Sequence, residues 1–230
     1  MRRIRKTPEP RTLGEWRARS QSDLNFGYSL LPAEVRDVVV ESLVSEQGWL
    51  CAYTGCRIDQ SRCHVEHVKA QAHCQHGEDV AYDNLVACHP APNTGEAAYG
   101  AHPKRDWPPP QEKYLFVSPL DDGCEERFQF NLRGEIQPAD PNDAAAVTTI
   151  RKLRLDHPEL TKLRKEAIGA TLERSSLPSV ADARRRLAQL ERSLPSGIQL
   201  DPYCFALKQA LRKHITRIES IRQSKKHPKP

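Results

Sequence analysis

Three short stretches of this chain carry side chains able to do chemistry: Val65-Glu66-His67-Val68, Tyr82-Asp83-Asn84-Leu85-Val86-Ala87-Cys88, and Gly100-Ala101-His102-Pro103-Lys104-Arg105-Asp106-Trp107. In order they supply a carboxylate beside an imidazole, a carboxamide, and a second imidazole with an acid nearby. Phosphodiester hydrolysis has a use for each. A water must lose a proton as it attacks phosphorus, and a neutral imidazole is a base suited to pH 7. His67 is the expected base. A divalent cation must offset charge on the phosphate and the leaving oxygen. Glu66, facing away from His67 if the two share a strand, is its expected ligand. His102 and Asp106 are four residues apart and would join it from one face of a helix. Asn84 would brace the loop by bonding main chain near His67, which makes His67, Asn84 and Glu66 the expected catalytic set. Lys104 and Arg105 are expected to steady a phosphate of the nucleic acid.

Each piece alone is weak. A Glu-His dipeptide is common, Asn84 could simply form a turn, and His102 before Pro103 could be an ordinary loop residue. Order and spacing together carry the reading. They have the layout of an HNH nuclease motif, with the first pair on a hairpin, the Asn in the loop beyond it, and the last ligands on or beside a short helix.

The elements that must position these groups can be read from punctuation and periodicity. Residues 1–31 read as an extended basic arm. Pro32 opens a helix to about Gln47, with Val35, Val39 and Leu43 at helical spacing and Gly48 as terminator. From Trp49 to Trp107 no long periodic segment occurs, so specific side chains or metal must hold that region. Beyond Pro108-Pro109-Pro110, Tyr114 to Val117 and the alternating Phe128, Phe130 and Leu132 are strand candidates, with Arg133-Gly134 a turn into Glu135-Ile136. Asn142 or Asp143 could cap a helix carrying Val147, Ile150 and Leu153. Pro158 could open a second helix through Leu160, Leu163 and Ile168. A third spans about Ser179 to Ser193, and a fourth Pro202 to Ile221 with Leu207, Leu211, Ile215 and Ile218 along one face.

The expected organisation is a basic arm and helix (1–48), an HNH core (49–110), a short β region (111–141), a C-terminal helical region (142–223) and a disordered tail (224–230). The fold class is α+β, mainly α, with a ββα-metal (HNH) motif embedded in a helical body beside a small β-hairpin region.

Composition narrows the setting. A chain of 230 residues can bury a real core, as one domain or two small ones, and 38% hydrophobic with 28% charged residues argues against wholesale disorder. No apolar run is long enough to span a bilayer. Met1-Arg2-Arg3-Ile4-Arg5-Lys6 lacks the apolar stretch of a signal peptide, so a cytoplasmic protein without a membrane partner is expected. The net charge of +5 favours polyanions without requiring one. Seven cysteines, an odd number, argue for metal or buried thiols over a disulfide framework.

The chain resembles the PtuB-like HNH nucleases, partners in Septu and some retron antiphage systems. The resemblance is carried by Arg3-Ile4-Arg5-Lys6 with Pro8-Glu9-Pro10, by Cys51-Ala52-Tyr53-Thr54-Gly55, by Val65-Glu66-His67, by Tyr82 to Cys88, by Tyr99-Gly100-Ala101 and by Lys104-Arg105-Asp106-Trp107. Further on it includes Leu153 to Leu160, Arg164, and Pro202-Tyr203-Cys204-Phe205-Ala206. It therefore covers almost the whole chain, with its specificity in the central motifs. It implies a nuclease domain in a helical body and a PtuA-like ATPase partner. DNA is expected over RNA, and Glu66 suggests magnesium or manganese, while histidine ligands also admit nickel or zinc.

Two departures stand out. Proteins of this broad group often carry two Cys pairs that bind a structural zinc. Here Thr54 and Ala98 occupy two of those places, leaving Cys51, Cys56 and Cys88, with a histidine such as His89, to make a tetrahedral site. Buried inert thiols are the alternative. Pro108 also follows Trp107 so closely that a helix bearing His102 and Asp106 could be only about one turn long. The rival readings are a non-catalytic zinc-dependent nucleic-acid-binding module and an assembly protein whose C-terminal helices bind a partner.

Overall fold

The computed structural model describes residues 1–23, 26–92, 94–95, 97–173, 179–191 and 197–226. Its N-terminal stretch is not a free arm, which corrects the expectation for residues 1–31. Met1 and Ile4 are buried, and the Ile4 N–H donates to the Pro119 carbonyl at 2.7 Å. The Lys6 ammonium binds the Glu46 carboxylate and the Leu85 carbonyl. Helix α1 (Arg11–Ser20) follows, burying Leu13 and Trp16. The apolar residues here are sparse but well placed, and intervening cations pair with acids, as in Arg3–Asp122 and Arg17–Glu9.

Helix α2 (Ala33–Glu46) runs as the punctuation predicts, with Val35, Val39 and Leu43 buried. Gly48 ends it at φ 65°, where a Cβ would stand 2.5 Å from Leu200 Cδ1. Glycine alone meets both demands without strain.

Strands β1 (His64–His67) and β2 (Leu85–Cys88) pair antiparallel, with His67 opposite Leu85 and His64 opposite Cys88. All four β2 residues are buried, so their main chain needs partners in place of water. The Gln47 side chain supplies them beyond the ladder, accepting from Ala87 N–H at 2.7 Å and donating to the Ala87 carbonyl at 2.8 Å. The stretch from Trp49 to Trp107 is thus not held by special side chains alone. Tyr53, Ile58, Val80, Leu85 and Val86 belong to the same apolar core as the flanking helices. A single turn, α3 (Ala101–Lys104), comes next.

The strand expected at Tyr114 to Val117 is instead a 3-10 turn over Pro110–Leu115, with Tyr114 76% exposed. The preceding prolines favour a tight turn, and the apolar run is too short to override them. Strands β3 (Phe128–Phe130) and β4 (Ile136–Pro138) do pair, through a turn with Gly134 at φ 79°.

Asp143, rather than Asn142, caps α4 (Ala144–Leu153), its Oδ1 accepting from the Ala146 N–H at 3.0 Å. Val147 on that helix is exposed, unlike Ile150 and Leu153. Helices α5 (Pro158–Glu173), α6 (Val180–Glu191) and α7 (Cys204–Lys226) complete the body. Val180 and Ala183 of α6 pack against Leu211 and Ile215 of α7. The helix therefore continues into the tail expected to be disordered from 224, while 227–230 lie outside the described residues, as do Arg192 and Ser193 of the third expected helix. The architecture is α+β and mainly α, with two small antiparallel strand pairs. Among the described residues, no helix is long and apolar enough to cross a membrane.

Candidate active site

His67 ends β1 and is buried. Its Nε2 lies 2.8 Å from the Asp79 carbonyl oxygen. A carbonyl can only accept, so Nε2 carries the hydrogen and Nδ1 of the neutral ring keeps its lone pair. The Tyr28 ring meets His67 edge-on, with centroids 5.0 Å apart and planes at 88°. Asp79 also accepts the Tyr28 N–H at 2.8 Å, so both neighbours of the imidazole are tied together. Burial holds the His67 pKa below the ordinary imidazole value, against the opposing pull of the Asp79 carbonyl and Glu66. Burial thus keeps the ring neutral, the state in which it can take a proton.

Asn84 sits just before β2 and bridges to the strand end opposite. Its Oδ1 accepts from the Lys69 N–H at 2.7 Å, and its Nδ2 donates to the carbonyls of Lys69 and Glu78, each at 3.2 Å. The Val68 N–H donates to the Asn84 carbonyl at 2.9 Å. Main chain one and two residues past His67 is thereby fixed.

Glu66 and Lys104 are arranged differently from expectation. The Lys104 side chain is completely buried, and its ammonium donates to Glu66 Oε1 and to the His67 carbonyl, each at 2.8 Å. It points inward and does not reach a phosphate at the surface. The other carboxylate oxygen of Glu66 faces His64, whose Nε2 is 3.8 Å away. The His64 Nδ1 donates to the Pro90 carbonyl at 2.6 Å. Burial lowers the His64 pKa, but Glu66 and the Pro90 carbonyl outweigh it and leave the ring more basic than usual.

His102 comes to this same place, its ring centroid 5.4 Å from that of His64. Its Nδ1 accepts from the Ala97 N–H at 2.8 Å, so in the neutral ring Nε2 is protonated and offers no lone pair to a metal. Asp106 does not share a helical face with His102. The helix ends at Lys104, and Arg105 at φ 47° turns the chain away, leaving Asp106 exposed with its carbonyl accepting from His73 Nε2. Arg105 is exposed. Among the described residues, no group of three or more His, Cys, Asp or Glu side chains is arranged to hold a metal ion.

Of the three expected zinc cysteines, Cys51 neighbours both of the others. Cys51 is central: burial pushes its thiol up, and hydrogen bonds from Cys56, Cys88, Thr54 and the His89 N–H more than reverse that, favouring the thiolate. Cys56 and Cys88 are pushed well above the ordinary thiol value, Cys56 chiefly by Cys51 and Cys88 chiefly by burial. The Thr54 hydroxyl lies 3.1 Å from Cys56 Sγ. His89 contributes its main-chain N–H to Cys51, while its ring stacks on Tyr99. Cys51 thus lies against both Cys56 and Cys88, and the Thr54 hydroxyl against Cys56, but the His89 ring expected as fourth ligand is turned to Tyr99 instead.

Sequence reasoning passed over His64, Tyr28 and Asp79. His64 had a signal, since two residues before Glu66 on a strand puts both on one face. Tyr28 and Asp79 act through a ring edge and a carbonyl, for which residue type gives no cue. Comparison of the chain with protein-family models and with curated proteins yields no match.

Proposed function

We propose that this protein is an HNH-type endonuclease that hydrolyses phosphodiester bonds, with DNA the favoured substrate over RNA. The observation that carries the reading is the setting of His67: a neutral, buried imidazole whose Nε2–H is held by a carbonyl and whose strand end is locked by Asn84. A ring pinned at one nitrogen presents the other as a proton acceptor in a fixed direction, as a general base requires. A structural zinc module has no use for that Asn.

His67 Nδ1 takes the proton of the attacking water. Asn84 keeps the ring's strand end from moving, and the Asp79 carbonyl fixes which nitrogen is free. Lys104 positions Glu66 and the His67 carbonyl together. Magnesium or manganese is what the Glu66 carboxylate suggests, but the side chains as arranged do not fit such an ion. Glu66 would have to exchange the Lys104 ammonium for it, so no step is assigned to a metal. The family resemblance supports a role in antiphage defence beside a PtuA-like ATPase.

The test is to purify the protein and His67→Ala and incubate each with plasmid, single-stranded DNA and RNA, with magnesium, manganese or EDTA. Cutting by the parent and not by the variant is expected, and the EDTA arm shows whether that cutting needs a metal. Equal cutting by both would remove His67 as the base. No cutting by either, even with a co-purified partner and ATP, would favour a binding module.

A further inference from the structure

A recess of about 640 Å³ opens beside the base, its wall including Tyr28, Arg36, Gln60, Ser61 and His64. Tyr28 joins it to the site. One side of that ring meets His67, and the Arg36 guanidinium lies 5.5 Å from its centroid. Arg36 donates from one terminal nitrogen to the Leu31 carbonyl at 3.1 Å. Its Nε is buried and has no acceptor among the described residues. A buried N–H without a partner is costly, and such groups are nearly always satisfied. The Nε is sealed from the recess, but the side chain is held in place by Leu31 and Tyr28 and its second terminal nitrogen, unbonded among the described residues, remains as a donor.

The rest of the lining is mostly engaged elsewhere. Gln60 is exposed and carries a carboxamide. The Ser61 hydroxyl is already given to Asp59, and His64 is engaged by Pro90 and Glu66. Among the described residues, Asp37 is the one carboxylate on the wall. The volume lies in the range that holds a nucleotide-sized group.

We infer that this recess receives a phosphate of the nucleic-acid strand adjoining the one that is cut, with Arg36 as its principal contact. A phosphate diester is anionic and accepts hydrogen bonds only, which matches a guanidinium with unused donors. Contacts of that kind set the register of a strand without reading its sequence. Tyr28 then places the phosphate contact one ring away from the base. The inference rests on the nuclease reading and adds the surface on which the substrate strand lies.

Binding tests it without cleavage. In a His67→Ala background, fluorescence anisotropy of a short labelled single-stranded oligodeoxynucleotide is followed across a salt series. Arg36→Ala is expected to weaken binding by about tenfold or more. It should also reduce the slope of log affinity against log salt by about one. Gln60→Glu changes only an exposed side chain, so folding is not at issue, and it should weaken binding as well. Arg133→Ala, in the exposed β3–β4 turn, should leave it unchanged.

If Arg36→Ala and Gln60→Glu bind like the background, the recess is not the contact, while a parent that still cuts DNA keeps the nuclease reading. Equal loss in Arg133→Ala would reduce the effect to net charge and overturn the inference. Competition by a deoxynucleoside monophosphate as strong as by unlabelled oligonucleotide would make this a free-nucleotide site instead. A background protein that binds no oligonucleotide would overturn both readings.

Discussion

The side chain of Asn84 and the main chain of Lys69 hold each other in both directions, Lys69 N–H to Oδ1 at 2.7 Å and Nδ2 to the Lys69 carbonyl at 3.2 Å. Such a paired bond fixes both position and twist of the chain just beyond His67. Asn84→Ala should lower stability by about 1–3 kcal/mol, since carbonyls of Lys69 and Glu78 lose their donor. Asn84→Asp should do no better, because it turns a negative oxygen toward those carbonyls. Urea denaturation gives the stability, and initial cleavage rates should fall in kcat more than in KM. A variant that is destabilised but cuts at the parental rate would make Asn84 purely structural.

The pairing of Lys104 with Glu66 predicts strong coupling. Lys104→Met leaves a largely buried carboxylate without its cation, which typically costs about 3–5 kcal/mol. Adding Glu66→Gln removes the stranded charge, and the double variant should recover much of the loss. A double-mutant cycle by chemical denaturation measures this. Simple additivity of the two single effects would mean that the ion pair carries no energy of its own.

Acid should weaken the start of α4. Asp143 holds Arg127 and the Ala146 N–H, and the Arg127 guanidinium, foremost, keeps its carboxyl below the usual 3.8. A depressed pKa stabilises the fold above the unfolded value, and the benefit disappears as pH falls through the folded one. Asp143→Asn keeps a capping oxygen and removes the charge. Parent and variant should therefore differ by about 1 kcal/mol at neutral pH and converge in acid. A gap that does not change with pH would rule out this ionisation as its source.

The thiol cluster invites completion. Thr54→Cys would put a fourth sulfur beside Cys56, in the place now taken by the Thr54 hydroxyl. The variant should retain one equivalent of zinc after dialysis and lose thermal stability when EDTA strips it. Elemental analysis and melting curves decide. Absence of retained zinc would show that Cys51, Cys56 and Cys88 do not converge closely enough to share an ion.

What could be read in the residues follows from where their partners lie. α2, α4 and α5 were legible because Pro32, Asp143 and Pro158 mark their starts locally, and helix-spaced apolar residues mark their buried faces. The Tyr114 to Val117 strand failed because four apolar-rich residues cannot tell a strand from a turn when prolines precede them. The inward course of Lys104 was not legible, since its carboxylate comes from 38 residues earlier and a lysine is rarely sealed from water. Asp106 misled for a local reason: the spacing from His102 suits a helix, but the chain leaves the helix at Arg105. His67 and Asn84 could be singled out because their side-chain chemistry depends on residue type, whereas Tyr28 and Asp79 meet His67 by position.

Lys6 has a reach beyond its own segment. Its ammonium donates to the Leu85 carbonyl at 3.0 Å and lies 3.7 Å over the Tyr82 ring, while gripping Glu46 at the end of α2. Leu85 is the residue facing His67 across the two strands. The first ten residues are thus a lever whose short arm ends on β2: a partner that lifted them would pull on the strand paired with the one that carries His67.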